Sequence, residues 1–214
     1  MDAFIKPLFL ITLVVLSAAT ENVDANDTSD PLLYIEAYYR EIHPLDDEKL
    51  KRNTLKGLLD EISQAPKISN DNPAKYFLSM GLLTAAYAET RGMKGLGDLK
   101  RARGYLMESI TQDQDLLDGY AQAFLARLFC TLPGWPISWG NQKECNLQLE
   151  TGLKNHSTGL AINLYSGLRE IEDHKPHRAI DFLSAASHAD FPKKAYPNWY
   201  AALYSQVEIH RQDQ

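Results

Sequence analysis

Cys130-Thr131-Leu132-Pro133-Gly134-Trp135-Pro136-Ile137-Ser138-Trp139-Gly140-Asn141-Gln142-Lys143-Glu144-Cys145 holds both cysteines and two of the three tryptophans of this 214-residue chain. Its middle is dense in proline and glycine, the residues of turns and loops. The flanks on both sides follow a helical pattern, and around this stretch the sequence repeats. Ala102, Leu106 and Ser109 recur as Cys145, Leu149 and Gly152, and again as Ala179, Leu183 and Ala186. The first step is 43 residues and the second 34, and the surplus of nine is the length of residues 132–140. The loop therefore reads as an insertion into a 34-residue repeat.

A period of 34 with small residues at fixed helical spacing is the signature of stacked helical hairpins of the tetratricopeptide kind. The remaining segments agree with it. Ser29-Asp30-Pro31 is a capping side chain followed by a proline at the first helical position. Leu32, Ile35, Tyr38, Tyr39 and Ile42 then fall at helical spacing until Pro44. A second helix is expected from Asp46, with Leu50, Leu55, Leu58, Leu59 and Ile62 as its apolar stripe. Residues 73–91 read as a helix of small and apolar residues, broken by Gly92 to Gly97, with Asp98 as the cap of the next. Residues 115–130, 141–154, 158–172, 176–188 and 197–210 complete the set. No strand-like alternation is sustained. The expected fold is all-α: about nine helices in antiparallel hairpins, stacked as a short solenoid in which no pair buries its faces alone. Residues 26–71 are expected to form a linker and an N-terminal hairpin, and 72–214 the repeat domain.

Residues 1–25 are set apart from the fold. Lys6 precedes an apolar run, residues 7–19, too short to span a hydrocarbon core of about 30 Å. Small residues follow at Ser17 and Ala19, or Val23 and Ala25, as at a signal-cleavage site. A signal peptide cleaved after residue 19–25 is the expectation; an uncleaved membrane anchor is the competing reading. The formal charge of −6, with no basic block, speaks against a nucleic-acid partner. In an oxidising compartment Cys130 and Cys145 can pair, closing a loop that stabilises by about 3 kcal/mol. Alternatively Cys145 stays free and fills, as a small apolar side chain, the slot held elsewhere by Ala102 and Ala179.

Three motifs stand together here: Gly95-Leu96-Gly97, the loop Pro133-Gly134-Trp135-Pro136-Ile137-Ser138-Trp139-Gly140-Asn141, and the hairpin of residues 160–186. Together they resemble a family of exported bacterial proteins with degenerate tetratricopeptide repeats. That family is distantly similar to the periplasmic helical proteins that accompany TRAP-type solute transporters. The resemblance spans roughly residues 72–189 and implies a periplasmic location but no transferable chemistry. Asn141 stands where the family carries an acid and Cys145 where it carries an alanine. A ligand role for that position is thereby in doubt, and a helix cap is the simpler use.

No catalytic constellation can be assembled. There is no His-Glu-x-x-His, no paired Cys-x-x-Cys and no Gly-x-Ser-x-Gly, and no cofactor or metal is implied. His174-Lys175-Pro176-His177 reads as a polar turn. Trp135 and Trp139 sit either on a stiff recognition surface, where pre-organisation lowers the entropy lost on binding, or folded back as a plug. Tyr120, Tyr165 and Arg127, on inner helices, are candidates for a concave binding face, with Asn141 beside the loop. The function expected is a non-catalytic binding or scaffold protein that holds a peptide or protein partner along that groove. The alternative is a small-ligand accessory of a solute transporter, with its pocket near Trp135 and Trp139.

Overall fold

The computed structural model describes residues 30–64 and 71–212. The expected signal peptide, residues 26–29 of the expected linker, and residues 65–70 lie outside them. Among the described residues every regular element is helical, and nine α-helices pack against one another. They are α1 (Leu33–Ala37), α2 (Glu48–Ser63), α3 (Pro73–Glu89), α4 (Leu96–Gln112), α5 (Tyr120–Thr131), α6 (Gln142–Asn155), α7 (Leu160–Glu172), α8 (Pro176–Ser187) and α9 (Pro197–Gln212). A π-helical turn, Tyr38–Ile42, extends α1, and a 3-10 turn, Gly92–Gly95, leads into α4.

The pairs α3–α4, α5–α6 and α7–α8 are the three hairpins. The repeated small residues hold them together as the spacing predicts. Ala102, Cys145 and Ala179 are fully buried, and so are Leu106, Leu183, Ser109 and Ala186 or nearly so. In the first and last hairpins a glycine sets the depth of contact. A Cβ on Gly81 would meet the Leu106 side chain at 2.9 Å, and one on Gly167 would meet Leu183 at 2.9 Å. Gly152 does the same between hairpins, its absent Cβ leaving room for Ile162. We predict that Ala179→Phe overpacks α8 against α7 and lowers unfolding free energy by about 1–3 kcal/mol in urea titrations. An unchanged midpoint would contradict the close approach.

Helix starts follow local chemistry. The Asp47 carboxylate accepts from the backbone N–H groups of Lys49 and Leu50 at 2.8 and 3.0 Å. Asp30 accepts from Leu32 N–H at 3.2 Å, and Pro73 and Pro176 occupy first-turn positions where the missing N–H is harmless.

Three local expectations are corrected. Residues 115–119 are not helical: Leu117, Asp118 and Gly119 are all left-handed, with φ of 49°, 52° and 72°, and α5 begins only at Tyr120. Glycine is required at 119 because a Cβ there would sit 2.4 Å from the His156 ring. Asp98 does not cap α4 but lies buried in its first turn, gripped by Arg91 and Arg101. Leu50 belongs to no buried stripe and is 44% exposed, because the apolar contact of α2 with the array runs through Leu55, Leu58, Leu59 and Ile62.

The largest departure from an open solenoid is at the inner face. Tyr34 of α1 and Ile42 of its π-turn pack with Leu55 of α2, while Leu32 and Ile35 are fully buried in the same core as the repeats. The Ser79 hydroxyl of α3 donates to Pro31 O at 2.8 Å. From the other end of the chain, α9 brings Trp199 against Tyr120 of α5 (ring centroids 4.9 Å) and against Tyr39 (6.5 Å). Glu36 of α1 accepts from the backbone N–H groups of Asn198 and Trp199, each at 2.9 Å, and from the Asn198 side chain. The first and last helices thus meet across the inner helices α3, α5 and α7, and the chain itself occupies the concave side.

Candidate functional site

The inserted loop is a closed structural unit. Cys130 and Cys145 are disulfide-bonded at its two roots, so Cys145 fills its close-packed slot as half of a cystine. Gly140 N–H donates to Pro133 O (3.0 Å) and Asn141 N–H to Phe129 O (2.9 Å), folding the loop back on itself. A Cβ on Gly140 would fall 1.8 Å from Leu132 O, so only glycine fits that crossing. The Trp135–Pro136 bond is cis. Asn141 is a helix cap: its side-chain oxygen accepts from Lys143 and Glu144 N–H at 2.9 and 3.2 Å.

The two loop tryptophans differ in environment. Trp139 turns inward, edge-on to Phe129 at 5.0 Å, and the Arg103 guanidinium lies 5.2 Å from its ring and 5.1 Å from that of Phe129. Trp135 points outward and is 90% exposed, beside the exposed Ile137. Trp139→Ala should therefore lose about 3 kcal/mol, toward the lower end for aromatic truncation because the ring is only partly buried. Trp135→Ala should stay within about 0.5 kcal/mol of the parent. Equal losses in a denaturant titration would show that the loop packs differently.

A cavity lies elsewhere among the described residues. It has a volume of about 400 Å3 and opens where the π-turn after α1 faces α3, α5, α7 and α9. Tyr38, Tyr39 and His43 form one wall, Phe124 and Arg127 of α5 another, and Tyr165, Leu168, Ile171 and Glu172 of α7 the third. Glu89, at the C-terminal end of α3, and Gln206 and His210 of α9 complete the rim. Of the residues singled out in the sequence, Arg127 and Tyr165 line this space. Tyr120 stands one layer behind, accepting from Trp199 Nε1–H at 3.2 Å and sharing a hydrogen bond with the Tyr165 hydroxyl. Trp135, Trp139 and Asn141 are not part of it.

The cavity is amphipathic. Its rings are packed in edge contacts, Tyr38 on Tyr39 at 4.9 Å and Phe124 on Tyr165 at 6.2 Å. Arg127 Nη1 is bound to Glu172 Oε1 at 2.6 Å, and Glu172 is also approached by Arg169 at 3.8 Å. Glu89 has no ion pair among the described residues. It is surrounded by protein on several sides while its outer part stays open to solvent, and that partial desolvation pushes its carboxyl above the usual range. Glu48 adds to the rise and Lys51 opposes it. His43 is pushed down by desolvation and by Lys51, which favours the neutral ring. Burial raises the Tyr165 hydroxyl to about 12 and Tyr38 and Tyr39 further, so all three remain neutral donors. Perturbed titratable groups gathered in one concave space mark a candidate site.

Most of these residues were missed in the sequence. Tyr38 and Tyr39 were read only as an apolar stripe. Glu89 carried a usable signal, being the single acid on the otherwise uncharged or basic α3. No three His, Cys, Asp or Glu side chains converge as metal ligands among the described residues. No described helix is long and apolar enough to cross a membrane. No sequence model of a known protein family matches this chain, and no curated protein matches it either.

Proposed function

We propose that this is an exported, non-catalytic binding protein that takes up a small organic ligand in the cavity between α1, α3, α5, α7 and α9. The observation that carries this reading is the occupation of the concave side by α1 and Trp199. A tetratricopeptide array that binds an extended peptide needs that face open along its length. Here the chain fills it and leaves a space of about 400 Å3, within the range of small-molecule sites. The Cys130–Cys145 bond fits an oxidising compartment and so supports export. The periplasm, and service to a solute transporter, follow from the resemblance of the Pro-Gly-Trp-Pro loop and the repeats.

Native mass spectrometry of the protein recovered from periplasmic extract tests the proposal. A retained small organic mass is expected, and it should be lost in Gln206→Trp, which places a ring at the exposed rim without touching the core. A protein that retains nothing and binds no small molecule in a library screen would refute it. One observation favours a second reading, a scaffold for a protein partner: Trp135 and Ile137 project from a loop braced by a disulfide. Loss of partner capture in Trp135→Ala, at unchanged stability, would support that role.

A further inference from the structure

The geometry points to an organic cation, a substituted ammonium or amidinium carried on an apolar body, as the class of ligand the cavity accepts. This rests on the cavity being a ligand site. The reasoning begins with charge. Two carboxylates, Glu89 and Glu172, face the space, and its one arginine, Arg127, is committed to Glu172 at 2.6 Å. Glu89 is left at the rim, near Tyr38 and Tyr39, as an acid with no ion-pair partner among the described residues. A carboxylate that gives up part of its water to neighbouring protein, with only the more distant Lys51 to offset it, gains from a cation placed directly beside it. A cation entering there offsets that loss, whereas an anion would add to it.

The walls agree with the charge. Tyr38, Tyr39, Phe124 and Tyr165 present aromatic surface around the same volume, and the negative faces of such rings attract cations, best where water is excluded. Leu168 and Ile171 supply a surface for the apolar body of the ligand. A rigid backing holds the Tyr165 ring in place, because Tyr120 is tied to it and is itself held by Trp199. A carboxylate at the rim of an aromatic enclosure is an arrangement suited to an alkylammonium group.

The test uses the full-length mature protein and three probes of similar size in calorimetric titration: benzyltrimethylammonium, benzyl alcohol and benzenesulfonate. Binding of the ammonium at one site is expected, at least tenfold tighter than the alcohol, with no detectable binding of the sulfonate. Glu89→Gln, a same-shape change at an open position, should weaken the ammonium at least tenfold while leaving the near-ultraviolet dichroism and melting temperature unaltered. Phe124→Leu should weaken it less, and the alcohol hardly at all. Equal or better binding of the sulfonate, or undiminished ammonium binding in Glu89→Gln, would overturn the cation inference. So would a neutral or anionic molecule retained in the native mass spectrum, although the cavity would then still be a binding site. If no molecule is retained and none of the probes binds, the cavity reading and the cation inference both fall.

Discussion

Trp199→Ala is expected to lower the unfolding free energy by about 3–5 kcal/mol, the range for removing a fully buried tryptophan from a packed core. Trp199 has no exposed surface and touches rings from three other parts of the chain: Tyr39 near α1, Tyr120 on α5, and Phe191 and Tyr196 before α9. Its removal opens a hole where α9, α1 and α5 meet, and leaves Tyr120 without the N–H that now donates to it. The helices around that point are braced from several sides, so collapse into the hole is limited and the larger part of the cost persists. Trp199→Phe separates the two contributions. It keeps most of the apolar contact and removes the hydrogen bond, and should lose about 1–2 kcal/mol through the bond and the smaller ring. Urea titration monitored by far-ultraviolet dichroism measures both. A loss below 1 kcal/mol for the alanine variant would mean that α9 does not close the array in solution.

Glu36→Ala is the second large effect, at about 2–3 kcal/mol. Glu36 is 5% exposed and its carboxylate caps a helix that begins more than 160 residues later. At that helix N-terminus the unpaired N–H groups and the aligned peptide dipoles both favour a negative group. Alanine would leave the N–H groups of Asn198 and Trp199 without an acceptor, and the buried Trp199 N–H has no ready access to water. Glu36→Gln keeps an acceptor and gives up the charge, so it should fall between alanine and the parent. The order glutamate, glutamine, alanine in denaturant midpoint is the expected result. Glutamine as costly as alanine would indicate that charge, and not acceptor number, dominates.

The repeats were legible because their cause is local. A small residue every 34 or 43 positions records where one helix must approach its neighbour closely, and Ala102, Cys145 and Ala179 are all fully buried. Caps and prolines marked most helix starts for the same reason. The left-handed run Leu117-Asp118-Gly119 escaped notice, although Asp118-Gly119 is a turn signal, because the apolar spacing of Leu116, Tyr120 and Phe124 continues across it. The stripe Leu32, Ile35, Tyr38, Tyr39 and Ile42 announced a helix with one buried face. It could not say that the face would lie against helices from the far end of the chain. The cavity was illegible on similar grounds: five helices contribute to it, and what makes Arg127 and Tyr165 members is their shared orientation toward Tyr39 and Glu89. Trp135 and Trp139, though adjacent in the same loop and equally suggestive in sequence, end on opposite sides of it.

The preference for a small ligand over an extended peptide depends on α1 being docked on the inner helices. Amide hydrogen exchange of the intact mature protein, read peptide by peptide, tests this directly. Amides of residues 33–42 should be protected as strongly as those of α3 and α7, and Glu36→Ala should release them before it releases the hairpins. Full exchange of residues 33–42 within seconds, with α3 to α8 still protected, would show a groove left open. The concave face would then be available to a peptide, contrary to the proposal.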